Sequence, residues 1–153
     1  MKSVRAALLL ACLCAVQPDS WASCSASSQS VPFPGYNPFD LTADDATGNV
    51  HVSCTGIGLL VSYHISLSTG ASGSFTTRTM KQASATLNYN LYTNLLRVTI
   101  WGDGSGSSSK VDDGYLIQLG TIDRDYTVYG RVFAQQNAAP GPYSDTILVT
   151  VDY

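Results

Sequence analysis

From about residue 50 to its end, apolar and polar residues in this chain alternate with a period of two. No stretch of useful length repeats every 3.6 residues. That pattern puts successive side chains on opposite faces of an extended strand and leaves a helix without an apolar stripe. "NVHVSC" places Val50, Val52 and Cys54 together. "LLVSYHISLS" places Leu59, Val61, Tyr63, Ile65 and Leu67 together, and "TLNYNLY" does so with Leu87, Tyr89 and Leu91. "LLRVTIW" (95–101), "YLIQLG" (115–120) and "YTVYGRVF" (126–133) are further expected strands. "YSDTILVTVDY" is the last, with Tyr143, Ile147, Val149, Val151 and Tyr153 on one face. Between them lie "FPGYNP", "ADDATGN", "STGASGS", "WGDGSGSSSKVDDG" and "NAAPGPYSD", all turn-forming compositions. Many short strands without helices predict an all-β sandwich or barrel.

The terminal strand raises a question of its own. It carries an apolar face and no strand follows it. An unpaired ladder of N–H and C=O groups beside apolar surface invites a strand from elsewhere.

Residues 1–22 read as a secretory signal: Lys2 and Arg5, then an apolar core at 6–16, then "SWA" before Ser23. A lipoprotein cut at Cys12 fits less well, because Leu10 is a poor match. The mature domain is then 23–153. No other apolar segment approaches the roughly 20 residues that a spanning helix needs. The mature chain keeps two of the four cysteines, Cys24 and Cys54. A pair in an exported chain reads as one disulfide. In the chain-entropy model it stabilises by roughly 3–4 kcal/mol.

Removing Lys2, Arg5 and Asp19 from 8 basic and 11 acidic residues leaves 6 and 10, a net charge of −4. Every acidic residue is Asp, which favours turns over helices. No basic stripe exists for a nucleic acid. His51 and His64 fall on polar phases of strands, and no "GxSxG" nucleophile elbow is present, so no enzyme chemistry is expected. The stretch from Asp103 fails as a calcium loop, with Ser108 sixth and Gly114 twelfth. Asp103, Asp112 and Asp113 read as residues of a solvated hairpin loop, and Asp44 and Asp45 as turn residues. No metal or other cofactor is expected.

"ATGNVHVSCTG", "YHISLSTGASGSFTTRTM", "LNYNLYTN", "VTIWGDGSGS" and "YTVYGRVFAQQNAAPGPYSDTILVTVDY" together resemble the spore coat protein U domain family. That family includes subunits of archaic, Csu-type chaperone–usher pili. The resemblance covers Cys24 to Tyr153. It implies an incomplete immunoglobulin-like β-sandwich that lacks its last strand, with a Cys24–Cys54 disulfide. It further implies a groove lined by Ile147, Val149, Val151 and Tyr153. A periplasmic chaperone would fill that groove first, and then the N-terminal extension of a neighbouring pilus subunit, delivered at an outer-membrane usher. The protein would be exported to the cell surface or an extracellular fibre. Only Ser23 precedes Cys24 after the expected cut, which implies a subunit that accepts a strand without donating one, at a tip or minor position. An adhesive tip would also touch a host or abiotic surface. The alternative reading is a secreted carbohydrate- or surface-binding module that uses exposed tyrosines or the 102–114 loop.

Overall fold

Two long strands run through both layers of the molecule. The computed structural model describes residues 23–153, so the expected signal segment lies outside the described residues. The strands are β1 (Ser23–Gln29), β2 (Asp44–Leu67), β3 (Arg78–Gln82), β4 (Ala85–Tyr92), β5 (Val111–Val132) and β6 (Val149–Asp152). β2 pairs antiparallel with β5 from Asp44↔Val132 to Ile65↔Val111. The sheet order is β1-β2-β5-β4-β3, with β6 also on β2. β1 pairs β2 from Thr55 back to Asn49, and β6 pairs it from His64 to Leu67.

The long ribbon folds back on itself. Tyr126 is registered opposite Val50 and Tyr63 opposite Asp113, yet the two phenols are hydrogen bonded and their rings are 6.5 Å apart. Val50, Val52 and Cys54 from before the bend share one core with Tyr63, Ile65 and Leu67 from after it. The side-chain phase therefore changes between Cys54 and Tyr63. Leu60 carries the change, at a positive φ of 56°. We call residues 56–60 and 116–120 the arch.

Several expectations are corrected here. "NVHVSC" and "LLVSYHISLS" are one strand, as are "YLIQLG" and "YTVYGRVF". Leu59 does not join Val61 and Tyr63 inside; it points outward, because the phase flips after it. At the arch the pattern is inverted: the aliphatic side chains face solvent and Gln118 faces in, donating from Nε2 to Cys54 O (2.7 Å). "LLRVTIW" is not a strand. It makes isolated bridges at Ile100 and Trp101, while Arg97 sits at a φ of 55° and donates to Gly130 O (3.2 Å). The turn lets the buried Trp101 indole donate to Ile65 O (3.0 Å). The glycine-serine loop ends before Val111 rather than at Gly114, and the final strand begins at Val149 rather than Tyr143.

Cys24 and Cys54 face each other across β1 and β2 and are joined as a disulfide. Beyond Gln29 the chain leaves the sheet edge and crosses its inner face. Gly48 and Gly130 sit at core-facing positions and make room for the crossing. A Cβ on Gly48 would meet Val31 Cγ2 at 2.8 Å, and one on Gly130 would meet the Phe33 ring at 2.6 Å. Phe33 in turn packs edge-on against Tyr89.

Polar clasps hold the fold at two points. Buried Arg78 donates to Asn90 Oδ1 (2.7 Å), Ser68 O (2.8 Å) and Trp101 O (2.7 Å). Burial pushes its pKa down. Near the arch, Tyr63 meets Tyr115 and Tyr126, and Tyr126 donates to Asp113 Oδ2 (2.6 Å). Burial and Asp113 push the Tyr126 phenol up to about 12. Burial raises the Asp113 carboxyl, but hydrogen bonds from Tyr126 and Gly114 N and the charge of Arg124 outweigh it and leave it below its ordinary value.

Gly130→Ala should destabilise the domain by about 1–3 kcal/mol through overpacking against Phe33. Gly35→Ala, with nothing within 4 Å of its added Cβ, should stay within about 0.5 kcal/mol. Thermal melting of both checks this, and equal effects would reject the crossing as the constraint. Because the Asp113 pKa is depressed on folding, its contribution is present above the ordinary carboxylate pKa, about 3.9, and is lost as pH falls through the folded value. Asp113→Asn should therefore flatten the acid limb of stability below about pH 4. An unchanged acid limb in pH-dependent melts would refute the clasp.

Candidate functional site

The free edges of β1 and β6 lie along the same side of β2, one in each layer. Between them is a cavity of about 790 Å³. One wall is the end of β1 and the crossing segment, residues 28–36; the other is residues 141–147 with Val149. Val50, Leu67, Leu87, Leu91, Val128 and Val132 form the floor. All six are buried, so the groove reaches the middle of the core.

The first wall is built from "SVPFPGY". Pro32 and Pro34 lack backbone donors and hold extended geometry, which suits a segment that pairs with nothing. Among the described residues, no turn or loop backbone–backbone hydrogen bond involves residues 31–36. Val31 and Phe33 alternate with these prolines and pack inward. Tyr36 ties the far end by donating to Gln136 O (3.3 Å).

Asp145 secures the second wall. Its Oδ1 accepts from Ala71 N (2.9 Å) and Thr146 N (2.8 Å), and its Oδ2 accepts from Tyr89 Oη (2.7 Å). Burial and Asp145 raise the Tyr89 phenol well above its usual pKa, so it is a standing donor. Gly70, at a φ of 63°, gives the carboxylate access: a Cβ there would lie 2.1 Å from Asp145 Oδ2. Ser144 bridges Lys81 through both backbone bonds (2.9 and 3.1 Å), and Ser68 N donates to Leu148 O (3.0 Å).

Ile147 and Val149 lie in the lining of this cavity. Val151 sits opposite Ile65, half-buried against the core and outside the cavity lining. Tyr153, 62% exposed, lies beyond the end of β6. Asp145, Tyr89, Val31 and Phe33 were not expected there. "FPGYNP" reads as a turn because its prolines mask the apolar alternation of Val31 and Phe33. The histidines face outward, His51 beside Asp125 (3.1 Å) and His64 beside Asp112 (2.6 Å). Asp103 accepts from Ser105 N (2.8 Å) and Oγ (2.6 Å), as a turn residue does. Among the described residues, no three His, Cys, Asp or Glu side chains gather as a metal site would require. What the arrangement offers is a long apolar slot between two unpaired strand edges.

The model of the spore coat protein U domain matches residues 10–150. The chain belongs to the spore coat protein U domain family. Protein U of Myxococcus xanthus is 34% identical over 115 residues, 70% of this chain and 59% of that protein. The chain thus spans little more than half the length of this relative. A solved structure with the same fold is that of the CsuC–CsuE chaperone–tip adhesion subunit pre-assembly complex from the archaic chaperone–usher Csu pili of Acinetobacter baumannii. The match has a TM-score of 0.58 at 20% identity and covers 86% of this chain and 40% of that one. The all-β architecture with one disulfide agrees with the expected incomplete immunoglobulin-like sandwich.

Asp145→Ala should loosen the second wall and leave the buried Tyr89 hydroxyl without its acceptor, costing about 1–3 kcal/mol. Hydrogen exchange should rise at residues 143–149 while the β2–β5 ladder stays protected. Unchanged exchange in that segment would show that Asp145 does not hold it.

Proposed function

We propose that the chain is a structural subunit of an exported surface fibre of the chaperone–usher kind, and that its groove accepts a β-strand from another polypeptide. The observation that carries this reading is the deep apolar cavity between the free edges of β1 and β6. A donated strand would pair with those edges and place alternate side chains on the buried floor. Each large aliphatic side chain so buried would contribute about 1.5–3 kcal/mol. A periplasmic chaperone would supply the strand first, and a neighbouring subunit afterwards. Family membership and the likeness to a chaperone-bound pilus subunit support this reading, as do the positions of Ile147 and Val149.

The finer part of the proposal is that the chain accepts without donating, at a tip or minor position, delivered by an outer-membrane usher to the cell surface. The expected signal cut before Ser23 supports it, because it leaves one residue ahead of the disulfide. Sequencing the mature N-terminus tests that part: an end more than about ten residues before Cys24 would return the chain to the shaft.

The groove itself is tested by sedimentation and melting. The purified chain alone should self-associate or melt early, and a peptide with alternating apolar residues should make it monodisperse and raise its melting temperature. Ile147→Asp should abolish that response at an otherwise folded domain. A robust monomer that ignores such peptides would refute strand acceptance.

A further inference from the structure

The second wall of the groove breaks its own pattern at one residue. From Tyr143 to Val151 every second residue faces inward. Tyr143, Asp145, Ile147, Val149 and Val151 are half-buried, and the residues between them are exposed. Four of these five are aliphatic or aromatic, and the other is an aspartate. Asp145 is also the one charged residue among those that line the cavity. Its inward phase brings it to the buried floor, where Oδ2 accepts from Tyr89 Oη.

Three hydrogen bonds fix this carboxylate, and all three donors are neutral: Ala71 N, Thr146 N and Tyr89 Oη. Among the described residues, no ion pair includes Asp145. Lys81 lies on the strand beside this wall, but it is exposed and registered with exposed Ser144, so both sit on the outer face. The buried Arg78 guanidinium acts on Asp145 only through space, because its N–H groups go to Ser68 O, Asn90 Oδ1 and Trp101 O. A strand laid into the slot takes solvent away from the carboxylate. An enclosed charge without a partner of opposite sign is costly.

We propose that the strand accepted by the groove carries a basic residue, Lys or Arg, at the inward position that faces Asp145. This rests on strand acceptance as proposed above and adds the chemistry of the partner. Directly opposed residues of neighbouring strands share a face, so the donor residues facing Val149, Ile147 and Asp145 are spaced two apart. A strand antiparallel to the wall then reads apolar-x-apolar-x-basic, and a parallel one reads basic-x-apolar-x-apolar. The cation offsets the lost solvation of the carboxylate. Oδ2 accepts a single hydrogen bond, from Tyr89, and a carboxylate oxygen has capacity for a second. An acidic residue at the same position would meet a like charge in an apolar slot, so Asp145 also rejects wrong strands. It fixes register as well. Aliphatic floor residues take any side chain of suitable size, whereas a strand slipped by two residues would set its cation against Ile147.

The test uses the full exported chain and synthetic peptides of alternating apolar and polar residues, one series for each strand direction. Each inward position in turn carries Lys, its neutral straight-chain counterpart norleucine, or Glu, and affinity is measured by calorimetry. At one inward position only, Lys should bind about tenfold or more tightly than norleucine, and Glu about tenfold or more weakly. In Asp145→Asn the ratio of Lys to norleucine affinity at that position should fall to about one, whatever the absolute affinity of the variant. The position scan in the parent chain stands by itself if Asp145→Asn loses the fold. Equal affinities for Lys and norleucine at every position overturn the proposal and leave strand acceptance standing. So does a Lys preference spread over all positions, which reports only the net negative charge of the chain, or one that persists in Asp145→Asn. A chain that binds no alternating peptide at all overturns strand acceptance and this proposal together.

Discussion

The continuous antiparallel ladder between β2 and β5 is the interaction on which everything else depends. One half of it belongs to each layer, so the two layers are joined through hydrogen-bonded backbone at the arch rather than through a loop. β1 attaches to the first half of β2 and β6 to the second, both on the same edge. The groove is therefore a consequence of how one ribbon bends. A slip of one residue in its register would turn Val50, Val52 and Cys54 outward and collapse both the core and the groove floor.

The bend places unlike demands on neighbouring residues. Its inner side carries Gly56, Gly58 and Gln118, and the buried Gln118 donates across the bend to Cys54 O. The Tyr63–Tyr115–Tyr126 group and Asp113 then fasten the layers just beyond the bend. At the far side of the core, Arg78 and Trp101 fasten the loops with buried hydrogen bonds. These polar clasps hold the sandwich where it is closed, and apolar burial is left incomplete where it is open. The result is a domain whose core stays open along one slot rather than across a whole layer.

The strand stretches and their inward faces are largely legible in the sequence, because period-two alternation is a local property. Val50, Val52, Cys54, Tyr63, Ile65 and Leu67 all point where the pattern put them. Leu59 does not, since the phase change at Leu60 depends on where the opposite layer packs. "LLRVTIW" has the composition of a strand, but Arg97 is drawn to Asp45 and Gly130 and Trp101 to Ile65, all distant in sequence. The cavity lining was partly legible. Ile147 and Val149 stood out as one apolar face of the last expected strand, whereas Asp145 and Tyr89 matter through a bond across 56 residues that no local pattern announces.

By itself, then, the amino-acid sequence determined an all-β domain with paired cysteines, a final strand with one apolar face and a family likeness, because alternation, cysteine count and motif order are written along the chain. Only the tertiary structure decided that two pairs of expected strands are two long ones and that a proline-rich turn is a groove wall. It alone put the aliphatic residues of the arch on the outside. The physical reason is the same in each case. Which face of a strand is buried depends on what packs against it, and at the arch the packing comes from segments far away along the chain.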